Sequence, residues 1–167
     1  MLEDITPARV NIGRFIPILD SSILWIFADA SQVATAVCAY IQTDHQVSDL
    51  LTGKVKLAPK RKITIPKLES LAFRLATTLA LNFMLNTQQK KLKRIKLVTD
   101  SHIALDWLCS TKKLSGHVTQ QIAAVQNMIN RLTDMGCEVD LYHVTTDHNP
   151  ADIGTRGSTK GECQESM

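Results

Sequence analysis

Residues 24–31 read LWIFADAS, and the way this stretch ends decides how the rest of the chain is read. Five of its first six residues are large and apolar or alanine, which predicts a strand buried on both faces of a sheet. Asp29 then stands at its edge, with small residues after it. Asp is a common turn residue, so a turn is the plain reading. A functional reading requires partners for the Asp29 carboxylate elsewhere in the chain.

Working outward, ATAVCAYIQ (34–42) reads as a second strand, joined to the first by a short polar turn as a hairpin. DLLTGKVKLA (49–58) suits a third, antiparallel strand with Gly53 as a bulge or bend. Pro66 opens a helix on which Leu68, Leu71, Ala72, Leu75, Leu79 and Phe83 share one stripe. RIKLVTD (94–100) is a fourth strand, and SHIALDWL (101–108) a short helix capped by Asp100 or Ser101. Val118, Ile122, Val125, Ile129 and Leu132 mark an amphipathic helix that Gly136 ends. In CEVDLYHV (137–144), a fifth strand, Val139, Leu141 and His143 alternate with Glu138, Asp140 and Tyr142, and NPADIG (149–154) starts a last helix. No internal repeat or linker divides the chain. The expectation is an α/β fold: a mixed five-stranded sheet, three antiparallel strands first and then parallel strands, with helices on both faces. The domain spans 21–157, after a leader segment (1–20) and before a polar tail (158–167).

The 167 residues, 44% hydrophobic and 21% charged, suffice for one domain with a real core. No apolar run approaches the roughly 20 residues of a membrane span. MLEDITPARV carries no signal-peptide core, so an intracellular, cytoplasmic monomer with no membrane partner is expected. Net charge is only +3, but KVKLAPKRK (54–62) and KKLKRIK (90–96) each hold five cations and no acid. Such runs suit a phosphate backbone; the alternative is two solvated loop flanks. Cys38, Cys109, Cys137 and Cys163 form no CxxC pair and no zinc spacing. Cys38 and Cys137 read as buried thiols, and Trp25 and Trp107 as core residues rather than base-stacking platforms.

Asp29 has three candidate partners. Asp100 closes the fourth strand, Glu69 lies in the first turn of the first long helix, and Asp152 in the first turn of the last. In open α/β sheets, sites form in the crevice beyond the carboxyl ends of the strands. If the first and fourth strands are parallel neighbours, Asp29 and Asp100 end side by side. Each acid has a local explanation. Glu69 and Asp152 suit helix dipoles, Asn149 and Pro150 form a start signal with Asp152 third, and Asp100 can cap a helix. Four carboxylates brought together would repel, a penalty that a divalent cation removes, and hard oxygen ligands select Mg²⁺ or Mn²⁺.

The order Asp, Glu, Asp, Asp sits in FADAS (27–31), KVKLAPKRKITIPKLESLA (54–72), LVTDSHIALDWL (97–108) and HVTTDHNPADIGTRG (143–157). Together these stretches resemble the type-1 ribonuclease H domain of Bel/Pao-type retrotransposon polyproteins, and ARVNIGRFI (8–16) resembles the region just upstream of it. The resemblance implies a ribonuclease H-like fold and two-metal hydrolysis of the RNA strand of an RNA–DNA hybrid. Asp29, Glu69, Asp100 and Asp152 would be the catalytic and metal-binding residues, holding two Mg²⁺ (Mn²⁺ as substitute) about 3.5–4 Å apart. Glu69 would accept from the 2′-hydroxyl that marks the RNA strand. Lys60, Arg61, Lys62 and Lys67 would contact nucleic acid, and a reverse transcriptase domain would be the partner within a polyprotein. Ala30 stands where cellular type-1 enzymes usually have Gly. The short TTDHNPAD (145–152) leaves His148 as the one candidate accessory histidine of its loop, with His143 read as structural and His102 as a helix-surface residue. In the family a tryptophan-bearing segment follows RG, so the chain reads as a fragment of an element. Two other readings compete. A catalytically inactive nucleic-acid-binding module could keep the fold, against which all four acids are retained. A transposase or integrase core would place its Glu after the second Asp, whereas Glu69 precedes Asp100.

Overall fold

The structure is a computed structural model that describes residues 16, 18–43, 49–87, 92–110, 114 and 116–157. Most of the expected leader segment, the polar tail and Cys163 lie outside the described residues. Five strands, β1 (Ile23–Ala30), β2 (Ala34–Gln42), β3 (Asp49–Leu57), β4 (Arg94–Thr99) and β5 (Glu138–His143), form one sheet in the order β3-β2-β1-β4-β5. β1 pairs with β2 and β2 with β3 antiparallel; β1–β4 and β4–β5 are parallel. The helices are α1 (Ile65–Thr87), α2 (His102–Cys109), α3 (Gly116–Asp134) and α4 (Asp152–Arg156), with a 3₁₀ turn at Thr146–His148. α1 packs on the core face of β1, β2 and β4 with α2 and α3 beside it, and α4 lies on the other face against β1, β2 and β3.

On the core face, Leu24, Ile26 and Ala28 of β1 stand beside Ile41, Ala39 and Val37 of β2, and Ile26 also beside Leu97 of β4. The opposite face departs from the sequence expectation, because β1 is not closed there. Trp25 and Phe27 are half-buried and stack on each other at 6.3 Å, Tyr142 lies 6.0 Å from Trp25, and the Lys96 ammonium sits 4.3 Å over the Trp25 ring. The Trp25 indole N–H donates to Gln42 Oε1 at 2.8 Å. Aromatic packing within the sheet face thus takes the place of a covering helix for much of β1.

The irregularity of β3 also falls elsewhere than expected. Ala39 pairs with Thr52 and Tyr40 with Leu50, which makes Leu51 the extra residue and leaves Gly53 in regular register with Cys38. Leu51 packs against the core, so the bulge places one more apolar side chain inward. Ile16 and Ile18 pack against the same core.

α1 is apolar on more than one stripe because it lies between the sheet and α3: Leu68, Ala72, Phe73, Ala76 and Ala80 are all fully buried. Among the described residues it is the one helix long and apolar enough, by composition, to cross a membrane, and most of it is buried inside the fold. α3 buries Val118, Ile122, Val125 and Leu132 as its spacing predicts. Gly136, at φ 88°, takes the left-handed turn after it that favours glycine.

These connections position the site. Since β1 and β4 run parallel and in register, Asp29 and Asp100 leave the sheet at the same rim. Ser101 is the N-cap of α2, its hydroxyl accepting from Ala104 N at 3.2 Å, so the Asp100 side chain is not used as the cap.

Candidate metal centre

Three carboxylates meet at that rim. Asp29, Glu69 and Asp100 each offer an oxygen, and these oxygens all lie within 4.8 Å of one another. Asp29 is 4% exposed and Glu69 6%, so two of the three are withdrawn from water. Glu69 falls just past the first turn where it was expected, because α1 starts at Ile65, one residue earlier than Pro66, and leaves no acid in that turn. Its placement reflects packing against Ala30 at the end of β1, whose backbone hydrogen-bonds it, rather than attraction to the helix dipole.

Hydrogen bonds fix two of the acids and leave part of the cluster bare. The Thr155 hydroxyl donates to Asp29 Oδ2, and Thr146 Oγ1 donates to Asp100 Oδ2 at 2.8 Å. Glu69 Oε2 and Asp100 Oδ1 are buried with no hydrogen-bond partner among the described residues. Burial, then the charges of Asp29 and Asp100, push the Glu69 carboxyl up to about 8. Burial also raises Asp29, with Asp100 and Asp152 adding to it and the Thr155 hydrogen bond opposing. Carboxylates this close, with no protein cation among the three, have two outcomes: a carboxyl stays protonated, or a cation is held. The donor set, all hard carboxylate oxygens, fits Mg²⁺ or Mn²⁺.

Asp152 stands apart from this triad. It is the first residue of α4, with Ala151 as the N-cap, rather than the third after an Asn149 cap. Asn149 is buried and ties the loop to β1, its Nδ2 donating to Ala28 O at 2.9 Å while its Oδ1 accepts from Ala151 N at 3.2 Å. Asp152 Oδ1 pairs with Arg156 Nε at 2.8 Å, and its charge is near enough to act on Asp29. It therefore borders the triad from the far face of the sheet, with one oxygen already engaged.

The seat of α4 depends on Gly154. A Cβ there would lie 2.7 Å from Ala36 Cβ and 3.3 Å from Val55 Cγ2. Gly154→Ala is expected to lift α4, break the Thr155–Asp29 hydrogen bond and cost about 1–3 kcal/mol, the usual range for overpacking. A thermal melt together with a Mg²⁺ titration checks this; a melt and an affinity both equal to wild type would show that α4 is not held against β2.

The histidines serve the surroundings. His143 Nε2 lies 3.1 Å from Asp100 O, and its ring stacks at 3.5 Å on that of His102, which is exposed on α2 as expected. His148 is exposed, its Nδ1 2.7 Å from Thr145 Oγ1 in the 3₁₀ turn. Lys60, Arg61 and Lys62 are exposed in the loop before α1, and Lys67 lies in its first turn. The loop leaves β3 at the rim that carries the carboxylates. The second basic run reads differently: Arg94 pairs with Glu138 at 3.2 Å, Lys96 is held over Trp25, and both lie toward the opposite end of β4. The sequence singled out neither Thr155 nor Thr146. Both fall in the quoted HVTTDHNPADIGTRG, but which hydroxyl meets which carboxylate depends on the crossing of α4 and β1.

Beside the triad opens a groove of about 380 Å³, bordered by Ile65, Pro66, Glu69, Asp100, His102 and Thr146. Its walls are the starts of α1 and α2, so a ligand in it passes directly over Glu69 and Asp100.

Comparison with known proteins agrees with the fold. The family model described as Pao retrotransposon-like RNaseH-like domain matches residues 2–101. A comparison with curated protein sequences gives no match. Among solved structures, the chain is similar to the N-terminal RNase H domain of a Mycobacterium tuberculosis protein, solved as a fusion with maltose-binding protein. The two share 14% identity at TM-score 0.60, covering 88% of this chain and all (100%) of that one. It is also similar to RNase H1 of the halophilic archaeon Halobacterium salinarum, with 13% identity and TM-score 0.54 over 78% of this chain and 89% of that one. LC11-RNase H1, isolated from compost by a metagenomic approach and solved in complex with RNA/DNA hybrid, gives 11% identity and TM-score 0.58 over 86% and 99%. At such identities these structures establish the fold that the sheet order displays.

Proposed function

Given that the chain belongs to the Pao retrotransposon-like RNaseH-like domain family, we propose that it is a metal-dependent endonuclease that hydrolyses the RNA strand of RNA–DNA hybrids. The observation that carries this reading is the triad. Three carboxylates from separate elements, two of them holding a buried oxygen with no partner, converge at one sheet rim beside an open groove. Such an arrangement costs stability unless a carboxyl keeps its proton or a cation is bound, and a purely structural role gives no reason to bring three acids together.

In this reading Asp29, Glu69 and Asp100 hold Mg²⁺, with Asp152 at the border supplying the oxygen not engaged by Arg156. When bound, the two ions lower the pKa of a water and stabilise the charge on the phosphodiester. Thr155 and Thr146 each engage one oxygen of Asp29 and Asp100, and the second oxygen of each would be the one to hold a cation. Glu69, beside the groove, is placed to accept from a 2′-hydroxyl, the group that distinguishes RNA from DNA. Lys60, Arg61, Lys62 and Lys67 supply positive charge to the same rim, where the phosphate backbone dominates affinity. The chain acts as a monomer, and a reverse transcriptase domain is its partner within a polyprotein.

The test is a hybrid carrying a distinct label on each strand. Cleavage of the RNA strand alone is expected with Mg²⁺ or Mn²⁺, and its loss on chelation. Binding without cleavage at any Mg²⁺ concentration would instead support a catalytically inactive nucleic-acid-binding module. Equal cutting of both strands would refute the strand assignment.

A further inference from the structure

A second groove, of about 470 Å³, runs between β3 and α1 on the core-facing side of the sheet's edge. Lys54 and Lys56 border it from β3 and Arg74 from α1, over a floor that includes Leu71 and Leu75, and among the described residues no carboxylate lines it. All three cations are exposed, and none has an ion-pair partner among the described residues. Arg74 donates to the neutral Gln121 Oε1 at 2.8 Å, which orients the guanidinium without neutralising it.

Lysines on an edge strand also deter sheet-to-sheet pairing. That accounts for Lys54 and Lys56 but not for an arginine meeting them from the facing helix. Three like charges lining one groove repel each other, a cost that bound anions remove. The edge strand that borders this groove leads to the rim of the proposed nuclease site. β3 runs parallel to β1, so Leu57 and the Lys60–Lys62 loop emerge at the carboxylate rim. In the sheet register Lys56 pairs with Thr35, and Thr35 with Ala30. Two strand spacings put the Lys56 backbone about 10 Å from the end of β1.

We infer that the β3–α1 groove is a second nucleic-acid contact, in which Lys54, Lys56 and Arg74 hold successive phosphates of a strand that continues past the cleavage cleft. The inference rests on the nuclease reading for its direction, and it lengthens the footprint of the substrate beyond the residues around Glu69. The alternative occupant, an acidic peptide, fits the charge. It does not account for the continuity with Lys60–Lys62 at the catalytic rim.

Hybrid binding, measured in chelator across a salt series, tests the groove without requiring catalysis. The paired change Lys54→Gln and Lys56→Gln is expected to lower the slope of log affinity against log salt by about 2, and Arg74→Gln by about 1. Lys93→Gln, at the opposite end of the sheet, is expected to leave the slope unchanged. The Lys54 and Lys56 changes lie on an exposed edge and keep the fold, so their result stands even if Arg74→Gln disturbs Gln121. Unchanged slopes overturn the inference, as does an equal loss on Lys93→Gln. Polyglutamate of matched charge that binds as tightly as hybrid through the same lysines overturns it in favour of a protein partner. A wild-type protein that binds hybrid with the expected slopes yet cuts nothing refutes the nuclease reading and leaves the groove assigned.

Discussion

Glu69→Gln is expected to abolish hybrid cleavage, by at least about 10³-fold, while raising the melting temperature of the metal-free protein. Both effects have one cause. Glu69 is buried beside Asp29 and Asp100, and its Oε2 has no hydrogen-bond partner among the described residues. Ionising it there without a cation sets like charges against each other in a poorly solvated site, which is why its carboxyl holds a proton up to about 8. An amide of the same shape removes the charge and adds N–H donors that face the remaining carboxylates. A gain of about 1–3 kcal/mol, the scale of satisfying a buried polar group, shifts the melt upward by several degrees in a domain of this size. The same change removes a charged ligand and leaves only a neutral acceptor for a 2′-hydroxyl, so Mg²⁺ raises the melting temperature far less. Paired melts with and without Mg²⁺, read beside the cleavage assay, check the trade. A Glu69→Gln protein that melts lower than wild type without metal would mean that Glu69 is a structural group.

The sequence made the rim legible but not its details. ATAVCAYIQ showed the extent of β2 because its strand-formers follow the polar turn Ser31–Gln32 and stop before Thr43. The meeting of Asp29 with Asp100 followed from topology, since parallel neighbours end at one edge. Glu69 followed from the helix that returns over that edge. What stayed hidden depends on contacts between distant elements. An apolar run such as LWIFA reads alike whether its second face is covered by a helix or by Tyr142 and Lys96 from neighbouring strands. The pairing of Arg94 with Glu138 requires the β4–β5 register, which places these two residues opposite each other. The pairing of Asp152 with Arg156 is local, at i and i+4. It escaped notice because NPADIG read as a helix start without its last turn. Thr155 is one hydroxyl among many in the sequence; only the seat of α4 against Ala36 makes it the partner of Asp29.

Without metal, the wild-type protein is expected to lose stability as pH rises, with a sign opposite to that of a salt-bridged carboxylate. In the unfolded chain Glu69 gives up its proton near its ordinary value of 4.5, and in the folded protein near 8. Between those values the folded state binds the extra proton, so stability falls through the whole window and levels above it. Asp29, also raised, contributes in the same direction. The full loss from Glu69 is on the order of 5 kcal/mol at the top of the window. The groups facing Glu69 are Asp29 and Asp100, with Asp152 and its partner Arg156 beyond them and the His102–His143 pair beside Asp100. All of these are retained in Glu69→Gln, so the difference between the two proteins isolates the Glu69 part of the slope. Saturating Mg²⁺ should flatten the wild-type profile, because a bound cation stabilises the ionised carboxylates that high pH produces. Its effect on the melting temperature should therefore grow from about pH 5 to about pH 8, as expected when ligands must be deprotonated to bind. Denaturant titrations over that range decide the matter. If metal-free wild type and Glu69→Gln show parallel profiles, Glu69 ionises in the folded protein as it does in water. The close approach of the three carboxylates, on which cation binding depends, would then not exist in solution.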